Sequence, residues 1–278
     1  MVSRMPAPHR SEDLSVHRFG RTDPDAPTLL LLHGLTDSGR CWPDAVERWR
    51  GDYRLVAWDA RGHGESERFT PDELEAGVGE THFDDAVDLL EVLAEEGASR
   101  PIVVGLSMGG GTAAAVAARR PELVRAVVLE DPVLGGGRFS DEHATEFAER
   151  RVRERQGALD DPATTLARGR REHPGWPETE YGPWGEAKQQ TEVEVLRDLD
   201  TTVHTPWPEV AAAIEVPALV VLGSDGIWSP EMREQLVALG NDRLEIEEVD
   251  GAAHCVRRDR PDAFHSLVDP WIAKQLGA

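Results

Sequence analysis

Five consecutive residues, Gly105-Leu106-Ser107-Met108-Gly109, carry the strongest chemical signal in this 278-residue chain. They follow an apolar run and precede an alanine-rich stretch that begins at Gly111. A serine between glycines, on a turn from strand to helix, is the arrangement of a nucleophile elbow. The glycines allow a sharp turn without a Cβ clash. The helix that follows points free amide hydrogens at any negative charge nearby. A glycine-rich turn with an incidental serine would account for the pentapeptide alone, so the partners of Ser107 decide its reading. One partner is His254, in Asp250-Gly251-Ala252-Ala253-His254, just beyond the last apolar run. A histidine on a loop there can take the proton of Ser107. Other histidines lack that placement. His265 falls within a helical pattern, His63 within a tight turn, and His9, His17, His143, His173 and His204 read as surface or insertion residues.

The elements that must position these residues follow an alternating rhythm. Apolar runs at 27–33, 53–59, 101–105, 125–130, 217–222 and 243–249 read as strands. Helical patterns at 42–49, 82–96, 108–120, 230–239 and 261–276 lie between and after them. Such alternation predicts an α/β fold, with a mostly parallel sheet covered on both faces. Residues 13–19 fit an antiparallel edge strand. From 135 to 213 the rhythm breaks. This stretch opens on Gly135-Gly136-Gly137, a hinge candidate. Charged helical patterns follow at 141–156 and 186–199, around a section rich in Pro and Trp. So long an insertion reads as a helical cap between two halves of one core, 1–134 and 214–278.

The chain resembles the α/β-hydrolase superfamily over nearly its whole length. The residues that carry the resemblance are His33-Gly34, Asp59-Ala60-Arg61-Gly62-His63-Gly64-Glu65-Ser66, Gly105 to Gly109 and Asp250 to His254, in that order. The resemblance implies a sheet flanked by helices, with the cap between the superfamily's strands 6 and 7. It implies Ser107 as nucleophile, His254 as base, and an oxyanion hole made by the backbone amides of Leu35 and Met108. His33 and His63 are read as structural.

The triad acid departs from the usual pattern. Relatives place it as the Asp of Gly-x-x-Asp after the strand that ends here at Leu222, with a proline four residues on. Here that position, counted from Gly223 or back from Pro230, holds Gly226, and Asp225 stands one residue early. Some relatives, zearalenone lactonases among them, supply the acid from the end of the preceding strand, 24 positions after the nucleophile. That spacing lands on Asp131. Asp131 is therefore assigned the role, with Glu130 and Asp225 as alternatives.

Aromatic residues suggest a pocket. Trp184 and Trp207 of the insertion and Trp228 after the fifth apolar run are candidates to line it, with Trp176, Tyr181 and Phe139 nearby. Packing of the insertion on the core is the competing account of these tryptophans. No dinucleotide fingerprint, phosphate loop or metal-ligand spacing is present, so neither cofactor nor metal is expected.

Composition narrows the rest. Net charge is −22, from 52 acids against 30 bases, which repels phosphate backbones and argues against nucleic-acid binding. Only Lys188 and Lys274 among those bases are lysines; the excess of acid and arginine speaks to solubility and a saline habitat. No apolar run approaches the ~20 residues that span a bilayer, and no signal-peptide pattern opens the chain, so a cytoplasmic location without membrane attachment is expected. Cys41 and Cys255 form no disulfide framework. No oligomeric state is legible. The resulting expectation is a serine hydrolase that cleaves a small-molecule carboxylic ester or lactone. A carbon–carbon bond hydrolase and a cofactor-free haloperoxidase use the same triad. A noncatalytic receptor on this fold would have no need of one.

Overall fold

The computed structural model describes residues 14–277 except Pro24, Ser99, 135–140 and Leu199. The Gly135 to Gly137 hinge candidate, Phe139 and His9 lie outside the described residues. Seven strands form one sheet: β1 (Val16–Gly20), β2 (Thr28–Leu32), β3 (Arg54–Trp58), β4 (Ile102–Leu106), β5 (Ala126–Glu130), β6 (Ala218–Gly223) and β7 (Leu244–Val249). Their spatial order is β1-β3-β2-β4-β5-β6-β7. β1 runs antiparallel to β3, and every other pairing is parallel. This is the α/β architecture that the alternation predicts.

The strands of the sheet's centre are apolar throughout because both faces are covered. Alternate residues leave a strand on opposite sides. Leu30 and Leu32 of β2 therefore join the core on one face, with Val103 of β4, while Leu29 and Leu31 join the other, with Val104 and Leu106. Twelve helices are described. Before β5 come α1 (Pro43–Trp49), α2 (Pro71–Ala76), α3 (Val78–Glu95) and α4 (Met108–Arg119). Between β5 and β6 come α5 (Asp141–Asp160), α6 (Pro162–Glu172), α7 (Glu178–Gln190), α8 (Val193–Asp198) and α9 (Trp207–Ala212). After β6 come α10 (Pro230–Ala238), α11 (Val256–Asp259) and α12 (Pro261–Leu276). α3 and α4 pack on the first face, and α1 and α12 on the second. Among the described residues no helix is long and apolar enough to cross a membrane.

Between β5 and β6 the described residues hold helices and no strand. Two details differ from the sequence reading. The Pro/Trp-rich section is largely helical, because α7 runs through it and carries Pro183 inside. The helices α2, α6, α9 and α11 are also unforeseen, although α2 and α6 each have a start signal. Thr70 accepts from Glu73 N (3.3 Å) while the Glu73 carboxylate accepts from Thr70 N (2.7 Å), a reciprocal cap. At α6, Asp161 accepts from Thr164 N ahead of Pro162.

Candidate active site

Ser107 stands between β4 and α4 with φ of 55° and ψ of −113°, a conformation that costs a non-glycine residue on the order of 1–3 kcal/mol. The surrounding backbone enforces it. Ser107 N donates to Glu130 O (3.0 Å), and its own carbonyl accepts from Gly111 N and Val133 N (2.9 Å each). The flanking glycines permit the close packing that holds this turn. A Cβ on Gly105 would lie 2.3 Å from Gly109 O, and one on Gly109 would lie 2.2 Å from Leu32 O.

The hydroxyl of Ser107 lies 2.8 Å from His254 Nε2, and His254 Nδ1 lies 2.7 Å from Asp131 Oδ2. Nδ1 therefore donates to the carboxylate, which leaves Nε2 free to accept from the serine. Asp131 is fully buried just past β5, at φ of 38°, and its Oδ2 also accepts from Ile227 N (3.0 Å). Glu130, its neighbour, points to the other side of the strand. Its carboxylate accepts from Arg257 N (2.8 Å) and lies 3.5 Å from Arg257 Nε, and burial pushes its pKa up to about 7. Asp225 is exposed, and the carboxylate on His254 is that of Asp131.

Gly226, the glycine at the usual acid position, faces this carboxylate. A Cβ added there would lie 2.6 Å from Asp131 Oδ1 and 2.7 Å from Oδ2. The space that an acid at 226 would start from is the space the Asp131 carboxylate fills. Gly226→Ala must therefore displace the Asp131 carboxylate, a short side-chain end that can yield while the backbone stays. We expect kcat to fall by at least ~10-fold from loss of the oriented imidazole, with a small change in melting temperature. An unchanged kcat, or a fall in activity matched by unfolding, would contradict this.

Two histidines fix the loop that bears Leu35. His33 Nδ1 donates to Gly34 O (2.8 Å), and its Nε2 accepts from Ala60 N (3.0 Å), while burial lowers its pKa and keeps it neutral. Asp37 N also donates to Gly34 O (3.0 Å). The peptide that follows is trans, so the Leu35 amide points away from those donors. His63, which burial holds down to about 3, contacts Leu35 O through Nε2 (2.6 Å). The second amide, of Met108, opens α4 and has no partner within the helix. Leu35 and Met108 line the same cavity as Ser107 and His254.

That cavity holds about 590 Å³. Trp184 and Trp176 line it, together with Phe147, His173, Ile227 and Lys188. The expectation for Trp207 and Trp228 needs correction. Neither lines the cavity; their rings meet edge to face at 5.3 Å, and Trp228 Nε1 donates to Pro132 O (3.0 Å), beside the acid turn. Trp228 is drawn into the core by its apolar area, so it supports Asp131 from behind.

The sequence reading missed a buried ionic network. Glu180 of α7 meets Arg257 (3.3 Å) and Arg258 (2.8 Å), Arg258 meets Asp37 (2.9 Å), and both arginines donate to Cys41 O. It joins α7 to α11 and to the loop that follows β2. The adjacent pair Arg257-Arg258, so soon after His254, was the available signal.

The sequence model of the alpha/beta hydrolase family matches residues 29–267. The RutD protein of Rhizobium rhizogenes, named as a carbamate hydrolase, is 27% identical over 271 residues, which cover 91% of this chain and 94% of that one. The crystal structure of E-2-(acetamidomethylene)succinate hydrolase superposes with a TM-score of 0.75 at 22% identity, covering 95% of each chain. The enol-lactonase from Burkholderia xenovorans LB400 superposes with a TM-score of 0.69 at 22% identity, covering 95% of this chain and 96% of that one. At such identity these two structures speak to the fold alone.

Proposed function

Since the chain belongs to the alpha/beta hydrolase family, we propose that it hydrolyses a carboxylic ester or lactone through an acyl-enzyme. The observation that carries this reading is the unbroken hydrogen-bond chain from Ser107 Oγ through His254 to the buried Asp131 carboxylate. Ser107 Oγ attacks the carbonyl carbon as His254 Nε2 takes its proton. Asp131 holds the imidazole in the tautomer that can accept that proton and stabilises the imidazolium that results. The amides of Leu35 and Met108 receive the oxyanion. His254 then protonates the leaving oxygen. Water, deprotonated by the same imidazole, releases the acid. A carbamate is the second reading, favoured by the likeness to RutD along most of the chain. A fluorophosphonate probe tests the common core. It should add one adduct, on Ser107, and none in Ser107→Ala. A hydrolysis screen over esters, lactones and carbamates then separates the two readings by kcat/KM.

The helices α5 to α9, within residues 135–213, serve in this reading as a cap that sets which acyl groups enter. Trp184 is the residue to test, since it lines the cavity and packs edge to face on Trp176 at 6.0 Å. Trp184→Ala should shift kcat/KM toward bulky acyl groups over acetate by ~10-fold, within the range that a hydrophobic pocket commands. Equal loss on every ester would contradict the cap's role.

A further inference from the structure

Lys188 has no part in the chemistry above, yet it is 5% exposed and lines the same cavity as Ser107 and His254. Its Nζ donates to Thr36 Oγ1 (2.9 Å) and lies 4.3 Å from the centre of the Trp184 ring. An ammonium has three hydrogens to give, so this leaves hydrogens without an acceptor among the described residues. Among the described residues no carboxylate comes within 4.0 Å of it. The two nearest in influence are engaged elsewhere, Asp37 with Arg258 (2.9 Å) and Glu154 with Arg151 (2.8 Å). A buried charge is costly unless it is paired and hydrogen-bonded. Burial accordingly pulls the Lys188 ammonium down to about 8, with Arg151 and Arg258 pushing the same way and Asp37 and Glu154 opposing.

We propose that Lys188 receives a second carboxylate carried by the acyl part of the substrate, so that the preferred ester or lactone is a half-ester of a dicarboxylic acid or its cyclic equivalent. This rests on the acyl-enzyme reading above. A carboxylate in the cavity supplies the missing acceptors and the missing counter-charge at once. The other acids that line the cavity do not serve that purpose. Asp198, Asp200 and Glu172 are exposed, and Asp259 accepts from Trp176 Nε1 and Ala253 N. The acidic rim and the chain's net charge slow the encounter with an anion; they do not touch the contact made at the buried ammonium.

The test compares mono-p-nitrophenyl adipate with p-nitrophenyl hexanoate, which differ in the terminal carboxylate. The wild-type protein should favour the adipate ester by at least ~10-fold in kcat/KM. Lys188→Met should reverse that preference, mainly through a KM raised ~30-fold or more for the anion. Lys188→Arg should restore part of it, and Thr36→Val should keep it. No preference in the wild-type protein overturns the proposal. So does an equal loss on both esters in Lys188→Met that Thr36→Val reproduces, because Lys188 would then act only by holding the loop of Leu35. If neither ester is turned over, the acyl-enzyme reading fails by itself. The carboxylate site is then judged by calorimetric titration with adipate, which should bind the wild-type protein and not Lys188→Met. Equal or absent binding in both overturns it.

Discussion

Ser107→Ala is expected to lower kcat by ~10⁴-fold or more while the fold survives. The magnitude follows from the unit character of a triad, in which losing one member costs nearly as much as losing all. The folded state should tolerate the change. Alanine at φ of 55° carries the same backbone strain as serine, and the turn is held by main-chain bonds to Glu130, Gly111 and Val133 that the side chain does not make. What disappears is Oγ and its bond to His254 Nε2. The double variant Ser107→Ala/His254→Ala should therefore be little worse than either single one. Steady-state kinetics on the best ester, with circular dichroism as the check on folding, decide the matter. Residual turnover above a few per cent of wild type would refute the serine mechanism.

The second large effect belongs to the acid. Asp131→Asn should be the most damaging carboxylate change, with a loss in kcat of up to ~10⁴, the size seen when the equivalent acid of a serine protease becomes an amide. An amide in place of this carboxylate can present N–H to Nδ1, which favours the tautomer with its proton on Nε2. That tautomer cannot accept from Ser107. Glu130→Gln acts elsewhere. It weakens the contact to Arg257, so its expected effect is on stability more than on kcat. Asp225→Asn removes an exposed charge and should leave kcat within about threefold, as surface substitutions commonly do. The three variants are compared at one substrate and one pH. A loss a hundredfold greater in Asp225→Asn than in Asp131→Asn would return the acid to the β6 loop.

These two residues mark how far the sequence could be read. Ser107 was legible because its turn is local: two glycines, an apolar strand and a small-residue helix lie within about fifteen positions. Asp131 was legible only by counting from Ser107 and by noticing Gly226. The missing Cβ at 226 shows in the letters, but the carboxylate that fills its place comes from 95 residues away. The tryptophans show the opposite case. Trp184 and Trp228 look alike in sequence, yet one lines the cavity and the other backs the acid turn. Which of them meets the cavity depends on packing against distant elements that no local period encodes. Lys188 was equally opaque. A lysine in a charged, helical stretch reads as solvated, and only the packing of α7 over Thr36 and Trp184 makes it a buried cation.

In the proposed triad, an acid at Asp131 also changes how the chemistry is apportioned along the chain. Ser107 N bonds to Glu130 O and Val133 N to Ser107 O, so nucleophile and acid ride on one clamped pair of strand ends. Both, with the amides of Leu35 and Met108, precede the helical segment; His254 alone follows it. In the usual order the acid and the histidine would travel together behind that segment. Here a crossover between two homologous genes inside the segment would inherit three of the four devices intact from one parent and exchange only the proton carrier. Where the segment sets specificity as proposed, such a crossover shuffles it, in evolution or in a library, while the seams to be matched again are the pairing of β5 with β6, the packing of α12 on the sheet and the bond from His254 to Asp131.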